Sequence, residues 1–178
     1  MTNRHLCTGN LPEQLKKIAG ENGPRMVILR EKDLPEREYE RLARQVLEVC
    51  REKKMDCVLH SYPDAARRLN CPAIHMPLRL YRSQWKQLQD FSVRGTSVHS
   101  VEEAIWAQEH GATYVTAGHI YLTDCKKGLP ARGLDFLKEV CEAVSVPVYA
   151  IGGISEERLE EVKGAGAAGA CMMSGYMK

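Results

Sequence analysis

The chain has 178 residues, with 25 Lys and Arg against 23 Asp and Glu, a formal net charge of +2. That length bounds it to one domain, or at most two very small ones, and so even a charge balance gives no case for nucleic acid or a membrane surface as the main partner. Apolar residues at 44% and charged residues at 27% suit a globular core and exclude a disordered chain. No apolar run approaches the roughly 18 residues of a membrane span. Residues 1–10 lack the apolar stretch of a signal peptide, so a cytoplasmic protein is expected. The seven cysteines are odd in number and scattered, with no CxxC pair, which argues for reduced thiols rather than a zinc or dithiol motif.

Short β-like runs alternate with helix-like stretches along the whole chain. Strands are expected over 5–8, 25–29, 57–60, 73–75, 91–94, 114–117, 146–151 and 169–173. Between them, helices are expected over 12–19, 35–53, 64–69, 82–89, from Ser100, over 134–144 and from Ser155 to about 163. In the 35–53 stretch Tyr39, Leu42, Ala43, Val46, Leu47 and Val49 recur every three or four residues. Ser100 with Glu103 three residues on reads as a capping box. Eight β/α units with continuous apolar strands predict a parallel sheet covered by helices. The expected fold is a (β/α)8 barrel, one domain over 1–178, shortened at its carboxyl end so that the eighth helix is missing.

In such a barrel the chemistry lies just beyond the carboxyl ends of the strands. There the sequence places Arg30, Glu31 and Lys32, then His60, then His75. Thr96, Ser97 and His99 follow, then Gly118 and His119, Gly152 and Gly153, and finally Met173, Ser174 and Gly175. Four of the six histidines fall in these positions. The pair Gly152-Gly153 precedes a helix, and Met173-Ser174-Gly175 ends the last strand. The turns after the last two strands of a barrel form its usual phosphate site, where backbone N–H groups hold the anion. Arg30 and Lys32 add positive charge, unless Glu31 and Asp33 balance them. The loop 122–132, with Lys126, Lys127 and Arg132, reads either as a lid over an acidic substrate or as a solvated loop.

The stretches Leu29-Arg-Glu-Lys-Asp33, Gly118-His-Ile-Tyr-Leu-Thr-Asp-Cys-Lys-Lys-Gly128, Arg132-Gly-Leu134, Ala150-Ile-Gly-Gly-Ile154 and Met173-Ser-Gly175 resemble the thiamine phosphate synthase/thiazole tautomerase superfamily. The resemblance covers nearly the whole chain and implies a (β/α)8 barrel. Its two branches differ in chemistry. The synthase joins a pyrimidine diphosphate to a thiazole phosphate using magnesium; the tautomerase (TenI-like) branch aromatises a thiazole carboxylate phosphate without a metal.

Departures from the synthase pattern point to the tautomerase branch. Ile28 stands where synthases carry the Gln of Gln-Leu-Arg-Glu-Lys. His60-Ser61 stands for Asn-Asp, and Leu80 stands for a second metal Asp. Magnesium needs hard carboxylate oxygens, which neither Ser61 nor Leu80 supplies. His119 and Cys125 match the tautomerase pattern. The resemblance therefore implies an isomerase of thiamine biosynthesis with His119 as the catalytic acid and base, since an imidazole can accept and donate a proton near neutral pH. Arg30, Lys32, Ser97, Lys126, Gly152, Gly153, Met173 and Ser174 would bind substrate and its phosphate. No cofactor and no metal are expected, and the partner is a small thiazole phosphate. Across the last strand, where the eighth helix is missing, a second copy of the chain is expected as cover, the alternative being that residues 1–10 fill the edge and the protein stays monomeric. The rival readings are a synthase and a non-catalytic thiazole phosphate binder.

Overall fold

A computed structural model describes residues 1–123 and 128–178. The fold is α/β, a shortened β/α barrel type. Its seven strands follow chain order in the sheet, and the registered strand pairs are parallel. Among the described residues no helix is long and apolar enough to cross a membrane. The chain divides into two compact units.

The first unit comprises residues 1–75, 90–92 and 173–178. It holds α1 (Leu11–Ile18), β1 (Met26–Leu29), α2 (Glu36–Glu52), β2 (Asp56–His60), α3 (Pro63–Arg68), most of β3 (Ala73–Pro77) and α8 (Ser174–Met177). The helical spacing of α2 is confirmed, with Tyr39, Ala43, Val46, Val49 and Cys50 buried. The expected strand over 5–8 is not one. Arg4–Leu6 forms a 3-10 turn whose N-cap, Asn3, accepts from the His5 N–H, so a polar side chain captures the backbone before it can join a ladder. Among the described residues seven strands therefore stand where eight were expected. Nor is the chain bare after its last strand: the one-turn α8 buries Met177, and its Tyr176 carbonyl accepts from Gln14 Nε2 on α1 at 2.7 Å.

The second unit comprises residues 76–89 and 93–172. It holds α4 (Leu78–Gln84), β4 (Val93–Val98), α5 (Val101–Glu109), β5 (Tyr114–Gly118), α6 (Gly133–Ala143), β6 (Val148–Ile151), α7 (Leu159–Gly164) and β7 (Gly169–Cys171). The capping box forms, with the Glu103 N–H donating to Ser100 Oγ at 3.2 Å and the Glu103 carboxylate accepting from the His99 N–H at 2.6 Å. β4 runs four residues further than the sequence suggests. Thr96 and Ser97 therefore lie within the strand and not beyond it. Their hydroxyls are bonded inside the sheet, which is what lets polar residues continue a buried strand: Thr96 Oγ1 donates to the Met76 carbonyl and Thr116 Oγ1 donates to Ser97 Oγ, each at 2.9 Å.

Candidate functional site

The strand ends of the first unit gather a polar row. Alternation along β1 and β2, with the register Ile28↔Val58, sets Arg30 beside His60, and the register of β2 with β3 pairs His60 with His75. The two imidazoles stack with centroids 5.5 Å apart and an interplanar angle of 18°. His60 is 4% exposed and His75 fully buried. Burial pushes both well below the usual imidazole range. For His60 the neighbouring His75, Arg30 and Lys32 push the same way; for His75, which falls to about 3, the amino terminus and Arg30 do. Both rings are therefore neutral near pH 7.

Backbone and hydroxyl groups fix this row. Tyr39 Oη on α2 donates to the Leu29 carbonyl at 2.8 Å and accepts from the His60 N–H at 2.7 Å. Ser61, at a φ of 66°, donates its N–H to the His75 carbonyl at 3.0 Å, and its Oγ lies 2.7 Å from His60 Nδ1. Arg30 is half-buried and Lys32 exposed, as anion-binding side chains at a rim would be.

The acidic residues between them face elsewhere. The buried Glu31 carboxylate accepts from Thr2 Oγ1 at 2.7 Å, from the Arg4 N–H at 3.1 Å and from Arg4 Nη1 at 3.2 Å. Asp33 is paired with Arg4 and with His5 Nε2, and these partners hold its carboxyl well below the ordinary range. The expected balance of Arg30 and Lys32 by Glu31 and Asp33 gives way to a clasp on the amino-terminal segment. Met173 and Ser174 belong to this unit, Ser174 exposed at the start of the one-turn α8.

The second unit brings together His119, Gly152 and Gly153. The chain after β5 continues alongside the chain after β6, the Ile120 N–H donating to the Ile151 carbonyl and the Tyr121 N–H to the Gly152 carbonyl, each at 3.0 Å. Gly152 and Gly153 have φ of 99° and 67°, where a side chain would be strained. An added Cβ would also stand 2.3 Å from His119 Cβ at Gly152, and 2.5 Å from the Leu122 carbonyl oxygen at Gly153. The close approach of their own chain thus requires both glycines, whatever else they bind.

His119 is 8% exposed; its Nε2 lies 3.4 Å from the Leu129 carbonyl, and its own carbonyl accepts from the Arg132 N–H at 3.0 Å. It holds the two ends of the 120s loop together. Ser97 shares a sheet face with Thr116, away from that turn in sequence but on adjacent strands. Lys126, with Cys125 and Lys127, lies outside the described residues.

Sequence reasoning missed Arg158 and Tyr121. Arg158 donates to the Gly153 carbonyl at 2.8 Å and lies 4.1 Å from the centre of the Tyr121 ring, whose hydroxyl donates to Glu161 at 2.8 Å. No local motif announces these contacts, since α7 is exposed and charged over most of its length. Tyr39 was read only as a core residue of its helix. Its hydroxyl work on two strand ends has no periodic signal.

The residues present do not fit the magnesium of the synthase pattern. Where that pattern has acidic ligands this chain has Ser61 and Leu80, and the Glu31 and Asp33 carboxylates are committed to Thr2, Arg4 and His5. Among the described residues no group of three or more His, Cys, Asp or Glu side chains gathers around a point that could hold a metal ion.

The family model for thiamine monophosphate synthase matches residues 1–176. A thiamine-phosphate synthase of Clostridium novyi is 33% identical over 184 residues, covering 100% of this chain and 89% of that protein. One of Clostridium botulinum is 31% identical over 186 residues, covering 99% and 88%. The solved structure of thiamine phosphate pyrophosphorylase from Pyrococcus furiosus superposes with a TM-score of 0.82 at 27% identity, covering 97% of this chain and 83% of that one. These names correct the expectation of the tautomerase branch, and with it the isomerase activity. The substitutions at 28, 61, 80 and 119 occur in a chain whose likeness as a whole runs to synthases, so single motif positions were too narrow a basis for choosing a branch. The chain belongs to the thiamine monophosphate synthase family.

Proposed function

We propose that the protein is a transferase of the thiamine phosphate synthase type, joining a pyrimidine diphosphate to a thiazole phosphate with release of pyrophosphate. The observation that carries this is the likeness to synthases along the entire chain, 33% identity with 100% of it covered. The chemistry suits the residues. The thiazole ring nitrogen has a lone pair and no hydrogen. It forms a C–N bond to the carbon bearing the diphosphate while the C–O bond breaks and both electrons leave with pyrophosphate. No proton has to move at either atom, so the step needs no general acid or base at His119 and depends on positioning and on holding the leaving charge.

Arg30 and Lys32, at the end of β1, are assigned to the leaving diphosphate. The thiazole phosphate is assigned to the turn at Gly152 and Gly153, with Ser97 on the adjacent strands and Lys126 as a further cation. Met173 and Ser174 of the first unit are assigned to phosphate by their place after the last strand in the sequence. No step is routed through magnesium, because the donor set does not fit it. This reading places the protein in the cytoplasm, where its free thiols would stay reduced. It also pairs the protein with a second copy across β7, where Ala170, Cys171 and Met172 are half-buried. Light scattering at micromolar concentration checks that pairing, and a monomer would discard it.

The test is incubation with the two phosphorylated substrates, following thiamine phosphate by chromatography and released pyrophosphate by coupled assay. Stoichiometric appearance of both is expected. Neither appearing under any divalent-ion condition would overturn the reading.

A further inference from the structure

The synthase reading and the donor set at the strand ends of the first unit disagree about metal, and the disagreement has a structural content. We propose that His60 and Ser61, in the row with Arg30 and Lys32, form an anion site that takes a diphosphate directly, with no divalent cation. The proposal rests on the synthase reading for its ligand, a diphosphate leaving group, and on the following geometry for its mode.

Every group in the row either carries positive charge or can donate a hydrogen bond. Register sets Arg30 next to His60 and His60 next to His75, and Lys32 follows two residues on. Ser61 Oγ and His60 Nδ1, 2.7 Å apart, share one hydrogen. A neutral imidazole and a hydroxyl have two such hydrogens between them. If the hydroxyl donates to Nδ1, the His60 Nε2–H is left to donate. If Nδ1–H donates to the hydroxyl oxygen, the Ser61 O–H is left. In both tautomers the pair keeps one hydrogen-bond donor, which can meet a phosphate oxygen.

Among the described residues, the two carboxylates next to Arg30 and Lys32 in sequence are engaged elsewhere. Glu31 accepts from Thr2 and Arg4, and Asp33 from Arg4 and His5, so the acidic half of Arg30-Glu31-Lys32-Asp33 is spent on the amino-terminal segment. Burial is the first cause of the depressed protonation of both imidazoles and keeps them neutral; Arg30 adds to it at both rings and Lys32 at His60. These two cations attract a diphosphate. A guanidinium and an ammonium then meet the charge that a metal would otherwise share.

Calorimetric titration of inorganic pyrophosphate into the full chain, once with EDTA and once with excess Mg²⁺, tests this. Binding in EDTA within about threefold of that in Mg²⁺ is expected; heat that appears only with Mg²⁺ overturns it. Ser61→Asp is the second arm, because aspartate tolerates the left-handed backbone of Ser61 and restores a carboxylate. It should weaken pyrophosphate binding in EDTA at least tenfold, as like charge enters the site. Unchanged binding in EDTA would place the anion elsewhere and overturn the proposal. The coupling assay keeps the two readings apart. Metal-free binding without coupling removes the synthase reading and leaves the anion site. Coupling with pyrophosphate binding that requires Mg²⁺ does the reverse.

Discussion

The hydroxyl of Tyr39 and the backbone N–H of His60 are 2.7 Å apart, and the same hydroxyl donates to the Leu29 carbonyl at 2.8 Å. A side chain from the middle of the sequence's strongest amphipathic helix thereby closes the ladder where β1 and β2 end. That fixes the two strand ends from which Arg30 and His60 are presented. The hydroxyl is fully buried, and burial raises its pKa well above the phenol range, so it stays a neutral donor and acceptor.

Tyr39→Phe leaves the His60 N–H and the Leu29 carbonyl buried without this partner. Each such loss costs about 1–3 kcal/mol, so urea denaturation should show a stability decrease of about 2–6 kcal/mol. A variant as stable as the parent would mean that the two backbone groups find other partners.

Stability should also fall between pH 7 and pH 5. In the unfolded chain an imidazole titrates near 6.5, whereas His75 in the fold titrates at about 3 and His60 well below its ordinary value. Below 6.5 the unfolded state therefore binds protons that the folded state refuses. Stability is complete above 6.5 and is lost as pH falls towards the folded values, by about 2 kcal/mol at pH 5 for one such histidine. Asp33 acts in the opposite window. Its contribution is present above the ordinary carboxylate value and is lost only in stronger acid, so it does not mask the effect. Chemical denaturation at pH 7, 6 and 5 checks this. His75→Gln should flatten the slope, and a parent protein equally stable at all three values would contradict buried neutral histidines.

Much of the fold is legible in the sequence because strand and helix periods are local. The apolar run at Tyr114–Gly118 and the spacing in Glu36–Glu52 could be read directly. What failed was decided by partners distant in sequence. Residues 5–8 read as a strand, but Thr2 and Arg4 are drawn to Glu31 and the following residues turn. Thr96 and Ser97 read as a loop, but Met76 and Thr116 satisfy them within β4. At the site, Arg30 and Lys32 were found by their position. His60 and His75 were seen only as strand-end residues, because a lone histidine carries no sign of the stacked partner that the register supplies. The choice of branch failed for a different reason: a missing carboxylate says that a metal is poorly served, not that the reaction has changed.

His119→Ala should reduce coupling by less than tenfold. The ring's contact is with the Leu129 carbonyl at 3.4 Å, and its Cβ, which Gly152 approaches, is retained in alanine. A displacement by a ring nitrogen requires no proton shuttle, so loss of the imidazole should act through the loop and raise KM more than it lowers kcat. A fall of about 10²–10⁴ in kcat with KM unchanged is the signature of a lost acid or base, and would return His119 to the chemistry.

Gly95→Ala should destabilise the second unit through Tyr114 and not through the backbone. A Cβ at Gly95 would lie 2.1 Å from the Tyr114 ring, on the neighbouring residue of β5. Tyr114 is itself 4% exposed and meets Tyr149 edge to face with centroids 5.7 Å apart. The ring cannot swing away without breaking that pair, so overpacking of about 1–3 kcal/mol is expected by denaturation. Tyr114→Leu gives the test its control. It shortens the side chain that the new methyl strikes, so the double variant should be less destabilised than the sum of the two single changes, a coupling of about 0.5–3 kcal/mol. Strict additivity would show that Gly95 is required by its own backbone, and that the tyrosine pair is not what confines this strand to glycine.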